Sequence, residues 1–178
     1  MNNHYHPHVV FKFCPSCGAQ SLYVHNSKAQ KCSACGFEFY TNSAAAVAAI
    51  ITNSAGQILL TKRAFEPGKG MLDLPGGFVD PLESAEHALY REIKEELNLT
   101  LVSHRYYKSF PNEYVYGGVL YFTTDLVFIC TVQSLNTIRV ADDVSDYQFS
   151  DISDTIIERI GLPSIKKIVQ DFAVSQNK

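Results

Sequence analysis

The chain has 178 residues, of which 46% are hydrophobic and 19% charged, a globular rather than a disordered composition. Lys and Arg number 15 against 18 Asp and Glu, a net charge of −3, so no overall basic field exists to hold nucleic acid or an anionic membrane. The length predicts about one domain with a small appendage, and the longest apolar run, Ala44–Ile51, is far short of the roughly 18 residues that cross a bilayer.

The first residues, Met1 to His8, have neither a positive n-region nor an apolar h-region, so no signal peptide is expected and the protein reads as soluble and cytoplasmic. His4, His6 and His8 could bind metal, but nothing nearby fixes their geometry, and a frayed terminus is the expectation. Residues 1–41 are poor in aliphatics and hold four of the five cysteines, as Cys14-x-x-Cys17 and Cys32-x-x-Cys35 with 14 residues between the pairs. That spacing matches tetrahedral zinc held by two knuckles. Gly18 and Gly36 follow the second cysteine of each pair, where a positive φ would aim backbone N–H groups at the sulfurs. Two disulfides would require an oxidising compartment, and a redox pair comes singly; a rubredoxin-like iron site shares the ligand set. With four cysteines as ligands no position stays open, so this metal is structural. Residues 9–41 carry only Lys12, Lys28 and Lys31 against Glu38, a thin footprint for phosphates. A structural or dimer-forming role is favoured over nucleic-acid binding.

From Ala44 the composition changes. Ala44–Thr52 reads as a buried strand, Asn53–Gly56 as a turn and Gln57–Lys62 as a second strand, together a hairpin. Residues 64–77 are a Gly- and Pro-rich loop with a short extended piece. Ser84–Leu97 is the clearest helix, with Ser84 as N-cap and Glu86 at the positive end of the dipole. Residues 105–110 and 119–132 are strand-like, and lone Cys130 in the second run is read as a small buried hydrophobe. Residues 139–154 carry five aspartates and look loop-rich. A last helix follows Pro163, with Ile165, Ile168, Val169 and Phe172 as its apolar stripe. Strands and helices mix without a regular βαβ rhythm, which makes the fold α+β.

The central helix carries the chemistry. At 100° per residue from Ala85, Glu95, Glu92 and Glu96 fall at about 280°, 340° and 20°. Ala88, Ala85, Leu89, Ile93 and Leu97 run from about 300° to 120°, so the three acids overlap the sector that faces the protein. Lys94, His87 and Arg91, at about 180° to 240°, mark the wet side. Acids at i, i+3 and i+4 repel one another, and a hard divalent cation such as Mg²⁺ would relieve that. Ala85 and Ala88 would leave room for it, Arg91 can pair with Glu95, and Leu74-Pro-Gly76-Gly77 supplies a tight loop able to approach metal or phosphate.

These residues also resemble a known family. Gly77-x5-Glu83-x7-Arg91-Glu92-Ile93-x-Glu95-Glu96-x-Asn98-Leu99 is similar to the Nudix box at every fixed position but one. The family has Gly where this chain has Asn98, and Asn is the next-best residue for a left-handed helix end. The resemblance implies a Nudix α/β/α sandwich with a mixed sheet over residues 42–178, preceded by a zinc ribbon over 1–41. It implies Mg²⁺- or Mn²⁺-dependent hydrolysis of a pyrophosphate in a nucleoside diphosphate-linked substrate. By carry-over Glu92, Glu95 and Glu96 are metal ligands with the Gly76 carbonyl, Glu95 is ligand or base, Glu83 supports the loop and helix, and Arg91 orients a glutamate. A base on a later loop is another family arrangement, with Asp142, Asp143 and Asp146 as candidates and Glu113 behind them; solvated loop acids are the equal alternative.

A four-cysteine ribbon before such a domain resembles the NADH pyrophosphatase group, whose members cleave NAD(H) and can remove NAD caps from RNA. That group carries Ser-Gln-Pro-Trp-Pro-Phe-Pro-x-Ser where this chain has Ser109-Phe-Pro-Asn-Glu-Tyr114. The chain has no tryptophan, and the long domain that precedes the ribbon in that group is not expected here. Members that hydrolyse ADP-ribose often have a proline where this chain has Val115. Phe110, Tyr114 and Tyr116 could stack on a base, or simply pack in a strand. ADP-ribose, NAD(H) and related dinucleotides form the leading class. The alternatives are a catalytically silent nucleotide sensor and an RNA cap-directed hydrolase using the ribbon.

Overall fold

A computed structural model of the chain describes residues 4–176. Contacts group the chain into two compact units, Met1–Ala44 with Glu113–Phe122, and Ala45–Asn112 with Thr123–Lys178. The first unit opens with a one-turn helix, α1 (Pro7–Val10), and continues in strands β1 (Leu22–Asn26), β2 (Ala29–Cys32) and β3 (Glu38–Tyr40), an antiparallel sheet in that order. Its described N-terminal residues are anchored rather than frayed. Tyr5 O accepts the Leu120 N–H at 2.7 Å, His6 Nδ1 accepts the His8 N–H at 3.1 Å, and the His6 ring meets Phe122 edge-on at 5.6 Å.

The remaining elements are β4 (Ala44–Ile51), β5 (Ile58–Arg63), β6 (Leu72–Asp73), α2 (Ala85–Leu97), β7 (Leu101–Tyr116), β8 (Val119–Val132), β9 (Val144–Ser150), α3 (Asp154–Glu158) and α4 (Pro163–Gln176). They form two three-stranded sheets, ordered β4-β8-β7 and β6-β5-β9. Period-two alternation sorts their side chains onto two helical layers. Val47, Ala49 and Ile51 of β4, Leu59 of β5, and Phe128 and Cys130 of β8 pack with Leu89, Ile93 and Leu97 of α2. Ala48, Ile50, Ile58, Leu60 and Val127 pack instead with Ile165, Ile168, Val169 and Phe172 of α4. The result is an α+β sandwich with strands between helices, as expected, and Cys130 is the buried hydrophobe it was read to be.

Two further expectations are corrected. β4 and β5 do not form a paired hairpin: the turn is sound, with Asn53 Oδ1 accepting the N–H groups of Ala55 and Gln57 at 3.0 Å each. Beyond the Thr52–Ile58 bridge the strands part into different sheets, because both are buried on both faces and each finds its own long-range partner. Residues 139–154 are not mainly loop either. β9 lies within them and pairs antiparallel with β5 from Ile58–Ser150 to Arg63–Val144, so tertiary pairing overrides the loop-like aspartates.

Candidate metal sites and active centre

The four paired cysteines converge in the first unit. Their sulfurs all lie within 4.8 Å of one another, none is in a disulfide, and Cys14–Cys35 and Cys17–Cys32 are each 3.7 Å apart. A tetrahedral zinc with bonds of about 2.3 Å requires sulfur–sulfur edges of about 3.8 Å, so the ligand set fits the ion. Gly18 and Gly36 have φ of 74° and 78°, the left-handed turn that the sequence demanded. Their N–H groups close the knuckles onto the carbonyls of Cys14 and Cys32, at 2.8 and 3.0 Å, rather than onto sulfur. The Ser21 hydroxyl lies 3.0 Å from Cys32 Sγ and is the main reason that this thiol is held below the ordinary range, helped by the Ala34 and Cys35 N–H groups.

In the second unit the helix α2 is fixed at both ends. Ser84 accepts the His87 N–H at 3.2 Å, and Asn98 takes the left-handed conformation at φ 55°. Leu89, Ile93 and Leu97 are fully buried and contribute roughly 1.5–3 kcal/mol each. That outweighs the few tenths of a kcal/mol that each like-charged i, i+3 or i+4 pair costs, so the helix can carry its acids.

Those acids split into two kinds. Arg91 grips Glu83 with two bonds, Nε to Oε1 at 3.0 Å and a terminal nitrogen to Oε2 at 2.8 Å. It also donates to the Phe78 carbonyl at 3.0 Å, to Glu92 at 2.8 Å and to Glu95 at 3.2 Å. The Arg91 bonds, with the Asp80 N–H, hold Glu83 down at about 2, so this carboxylate is permanently ionised. Glu96 behaves oppositely. It is 6% exposed, and burial drives its carboxyl up to about 9 against the pull of the Gly76 N–H, which donates to Oε2 at 2.9 Å. Burial also raises Glu92, with Arg91 opposing. Glu95 faces out, with half its side chain exposed. Arg91, expected on the wet side, is instead folded back over Glu83 with only 28% of its side chain exposed.

The loop of Leu74 to Gly77 docks on β4. Ala49 and Val47 donate to the carbonyls of Pro75 and Gly77 at 2.8 Å each, which leaves Gly76, between them, turned to Glu96. Neither glycine tolerates a side chain: a Cβ on Gly76, at φ 143°, would lie 2.1 Å from Val47 O, and one on Gly77 would lie 2.5 Å from the Glu92 carboxylate. Room beside the acids therefore comes from Gly77, not from Ala85 and Ala88, which pack into or against the core.

Ala141 donates to Glu96 O and Arg139 to Leu97 O, at 3.0 Å each, clipping the following loop to the end of α2. Asp142, at φ 53°, and Asp143 are thereby brought within electrostatic reach of Glu92 and Glu96 respectively. Asp146 lies on β9 opposite Lys62, and its carboxylate accepts the Tyr147 N–H. Glu113 groups with the first unit.

Among the described residues, only the cysteines bring three or more ligand atoms within 4.8 Å of one another. Glu92 and Glu95 turn toward Arg91 and Glu96 toward Gly76. An all-oxygen corner of this kind suits a hard ion such as Mg²⁺, which keeps several waters and takes only one or two carboxylates beside substrate phosphates. Sequence reasoning missed the buried acids Asp73 and Asp125, each 6% exposed. Burial raises Asp73 even though Arg63 pairs with it at 2.5 Å. The available signal was an acid set inside apolar runs, Leu72-Asp-Leu74 and Asp125-Leu-Val-Phe128.

A family model described as NUDIX domain matches residues 42–172. The chain is 34% identical over 142 residues to an ADP-ribose pyrophosphatase of Methanocaldococcus jannaschii, covering 76% of each protein. It is 30% identical over 112 residues to the NAD-capped RNA hydrolase NudC of Haemophilus influenzae, a match over 60% of this chain that spans only 42% of that relative's length. Among solved structures, a NUDIX hydrolase from Nitrosomonas europaea shares the fold at a TM-score of 0.66 and 20% identity, over 91% of this chain and 90% of the other.

Proposed function

The chain belongs to the NUDIX family, and on that premise we propose that it is a Mg²⁺- or Mn²⁺-dependent hydrolase of the pyrophosphate bond in ADP-ribose, NAD(H) or a related dinucleotide. The observation that carries this reading is the division of labour around α2, with Glu83 locked to Arg91, Glu92 half-buried and sharing that guanidinium, and Glu96 buried against the Gly76 N–H. The relatives named above supply the substrate class.

In this reading Glu92 and Glu96 would hold the metal with the Gly76 carbonyl, Glu95 would serve as a further ligand or as the base, and Arg91 keeps Glu92 and Glu95 at a fixed spacing. An ion bound there would supply polarisation of a phosphoryl oxygen and a lowered pKa for the attacking water. The water oxygen forms a bond to phosphorus as the bridging P–O bond breaks, and a carboxylate takes the proton. Glu95 is the first candidate for that base because it is the most exposed acid of the three, and Asp142 and Asp143 are the second. ADP-ribose would yield AMP and ribose 5-phosphate. The ribbon, assigned to residues 1–41 ahead of a catalytic domain over 42–178, holds a structural Zn²⁺ through Cys14, Cys17, Cys32 and Cys35. Lys31 is engaged by Glu38 at 2.9 Å, which thins an already sparse footprint for RNA.

Hydrolysis of ADP-ribose, NADH and an NAD-capped RNA with Mg²⁺ and Mn²⁺ tests the proposal. AMP release from the first two, lost in Glu96→Gln, is the expected result. Tight binding with no turnover on any of them would make the protein a silent sensor. Preference for the capped RNA, with salt-sensitive binding lost on removing the ribbon, would favour a cap-directed role.

A further inference from the structure

Arg63 and Asp73 belong to none of the roles assigned above, yet both tie down the turn that carries Gly76. Asp73 sits at the end of β6, immediately before Leu74. One of its carboxylate oxygens accepts from Arg63 at 2.5 Å and the other accepts the Leu74 N–H at 2.8 Å. Its backbone carbonyl accepts from the Thr61 hydroxyl at 3.4 Å. Arg63, at the end of β5, also donates through Nε to the Pro67 carbonyl at 2.5 Å. Its backbone bonds Met71 O at 3.0 Å and Gly70 N at 2.9 Å. One guanidinium therefore staples the preceding loop to the root of the glycine turn.

The path onward from Asp73 is short and held at nearly every step. Leu74 is fixed by Asp73, Pro75 by Ala49 and Gly77 by Val47, and Gly76 then meets Glu96 at 2.9 Å. A buried carboxylate with its own cation and two further ties gives this turn a rigid footing, whereas an unpaired one would move toward water or take up a proton.

We infer that the Arg63–Asp73 pair is a positioning device for the metal-binding corner, setting the Leu74–Gly77 turn at the spacing at which Gly76 and Glu96 act together. The inference rests on the reading of Glu92 and Glu96 as metal ligands. Residues that orient metal ligands typically change metal affinity or activity by 10–100-fold when altered.

The test is a Mn²⁺ titration of the full chain without substrate, following free Mn²⁺ by electron paramagnetic resonance. The variants are Asp73→Asn, which keeps an acceptor for Leu74, Arg63→Lys, which keeps the charge but loses the second bond, and the two combined. Folding is checked by circular dichroism. The expected result is a roughly 10-fold or greater loss of Mn²⁺ affinity in each single variant, and no further loss in the double variant because the residues act as one unit. With substrate present, the metal concentration for half-activation should rise while kcat at saturating metal stays within about threefold. Mn²⁺ affinity within twofold of the parent in a folded variant would overturn the inference, as would failure of both single variants to fold. If the parent binds no Mn²⁺, or Glu96→Gln binds it equally well, the metal-site reading itself fails, and the two failures are thus told apart.

Discussion

At the residue scale, Glu96 is the point where stability and function pull apart. In the metal-free protein its carboxyl is raised from 4.5 to about 9 by burial. The folded chain therefore keeps a proton that the unfolded chain releases, and the stability this provides is full below about pH 4.5 and lost as pH rises toward 9. Glu96→Gln removes that slope. Metal-free Glu96→Gln should be more stable than the parent by about 3 kcal/mol at pH 7, while hydrolysis falls at least 100-fold. Thermal melts from pH 5 to 9 check this, and parallel curves for the two proteins would refute it. Adding Mg²⁺ should raise the melting temperature of the parent alone. Leu82 offers a second residue-scale test. It has φ 68° and is fully exposed, so its side chain gains no packing to offset a left-handed backbone that costs an L-residue about 1–2 kcal/mol. Leu82→Gly should leave the melting temperature unchanged or raise it, with catalysis within twofold of the parent.

At the scale of elements, the catalytic corner is one helix and one turn pressed together, and Gly77 is where they touch. A methyl group there would sit 2.5 Å from the Glu92 carboxylate. Gly77→Ala should therefore displace Glu92 and cost about 100-fold in kcat, the penalty of a misplacement near 1 Å, with circular dichroism unchanged; activity within threefold would show that Glu92 does not depend on that contact. The helix half of this corner was legible in the sequence because its signals are local. Ser84 caps it, Asn98 ends it, and the aliphatics, Glu92 and Glu96 fall where the wheel puts them, whereas Glu95, placed with those acids, faces out and Arg91, placed in water, folds back over Glu83. The turn half was only partly legible. Leu74-Pro-Gly76-Gly77 announced a tight loop, but that Gly77, rather than the alanines, makes room for Glu92 depends on docking against β4. The Arg63–Asp73 pair carries no periodic signal at all. β9 stayed hidden for a related reason: its aspartates resemble a loop, and only its partner β5, more than eighty residues earlier in the chain, makes a strand of it.

At the scale of the whole molecule, no helix among the described residues is long and apolar enough to cross a membrane, and the organisation that matters is the pair of compact units. The hairpin of β7 and β8 is shared between them in sequence, because its tip, Glu113–Phe122, groups with the cysteine unit. There Leu120 is tied to Tyr5 and Phe122 to His6. If zinc organises that unit, its loss should loosen the tip of the hairpin as well as the knuckles, since small metal-held modules draw much of their folding free energy from the ion. The substitution Cys32→Ser isolates this effect better than a chain begun at residue 42, which would also remove Tyr5 and His6. Hydrogen exchange should then show the Leu120 and Gln30 amides exchanging at least 10-fold faster, with one zinc per chain lost by elemental analysis. The Ile93 and Leu97 amides should keep their protection, because their burial rests on β4, β5 and β8 rather than on the ribbon. Loss of protection in α2 together with Leu120 would mean that the units unfold as one, and an unchanged Leu120 would mean that zinc does not organise the hairpin tip.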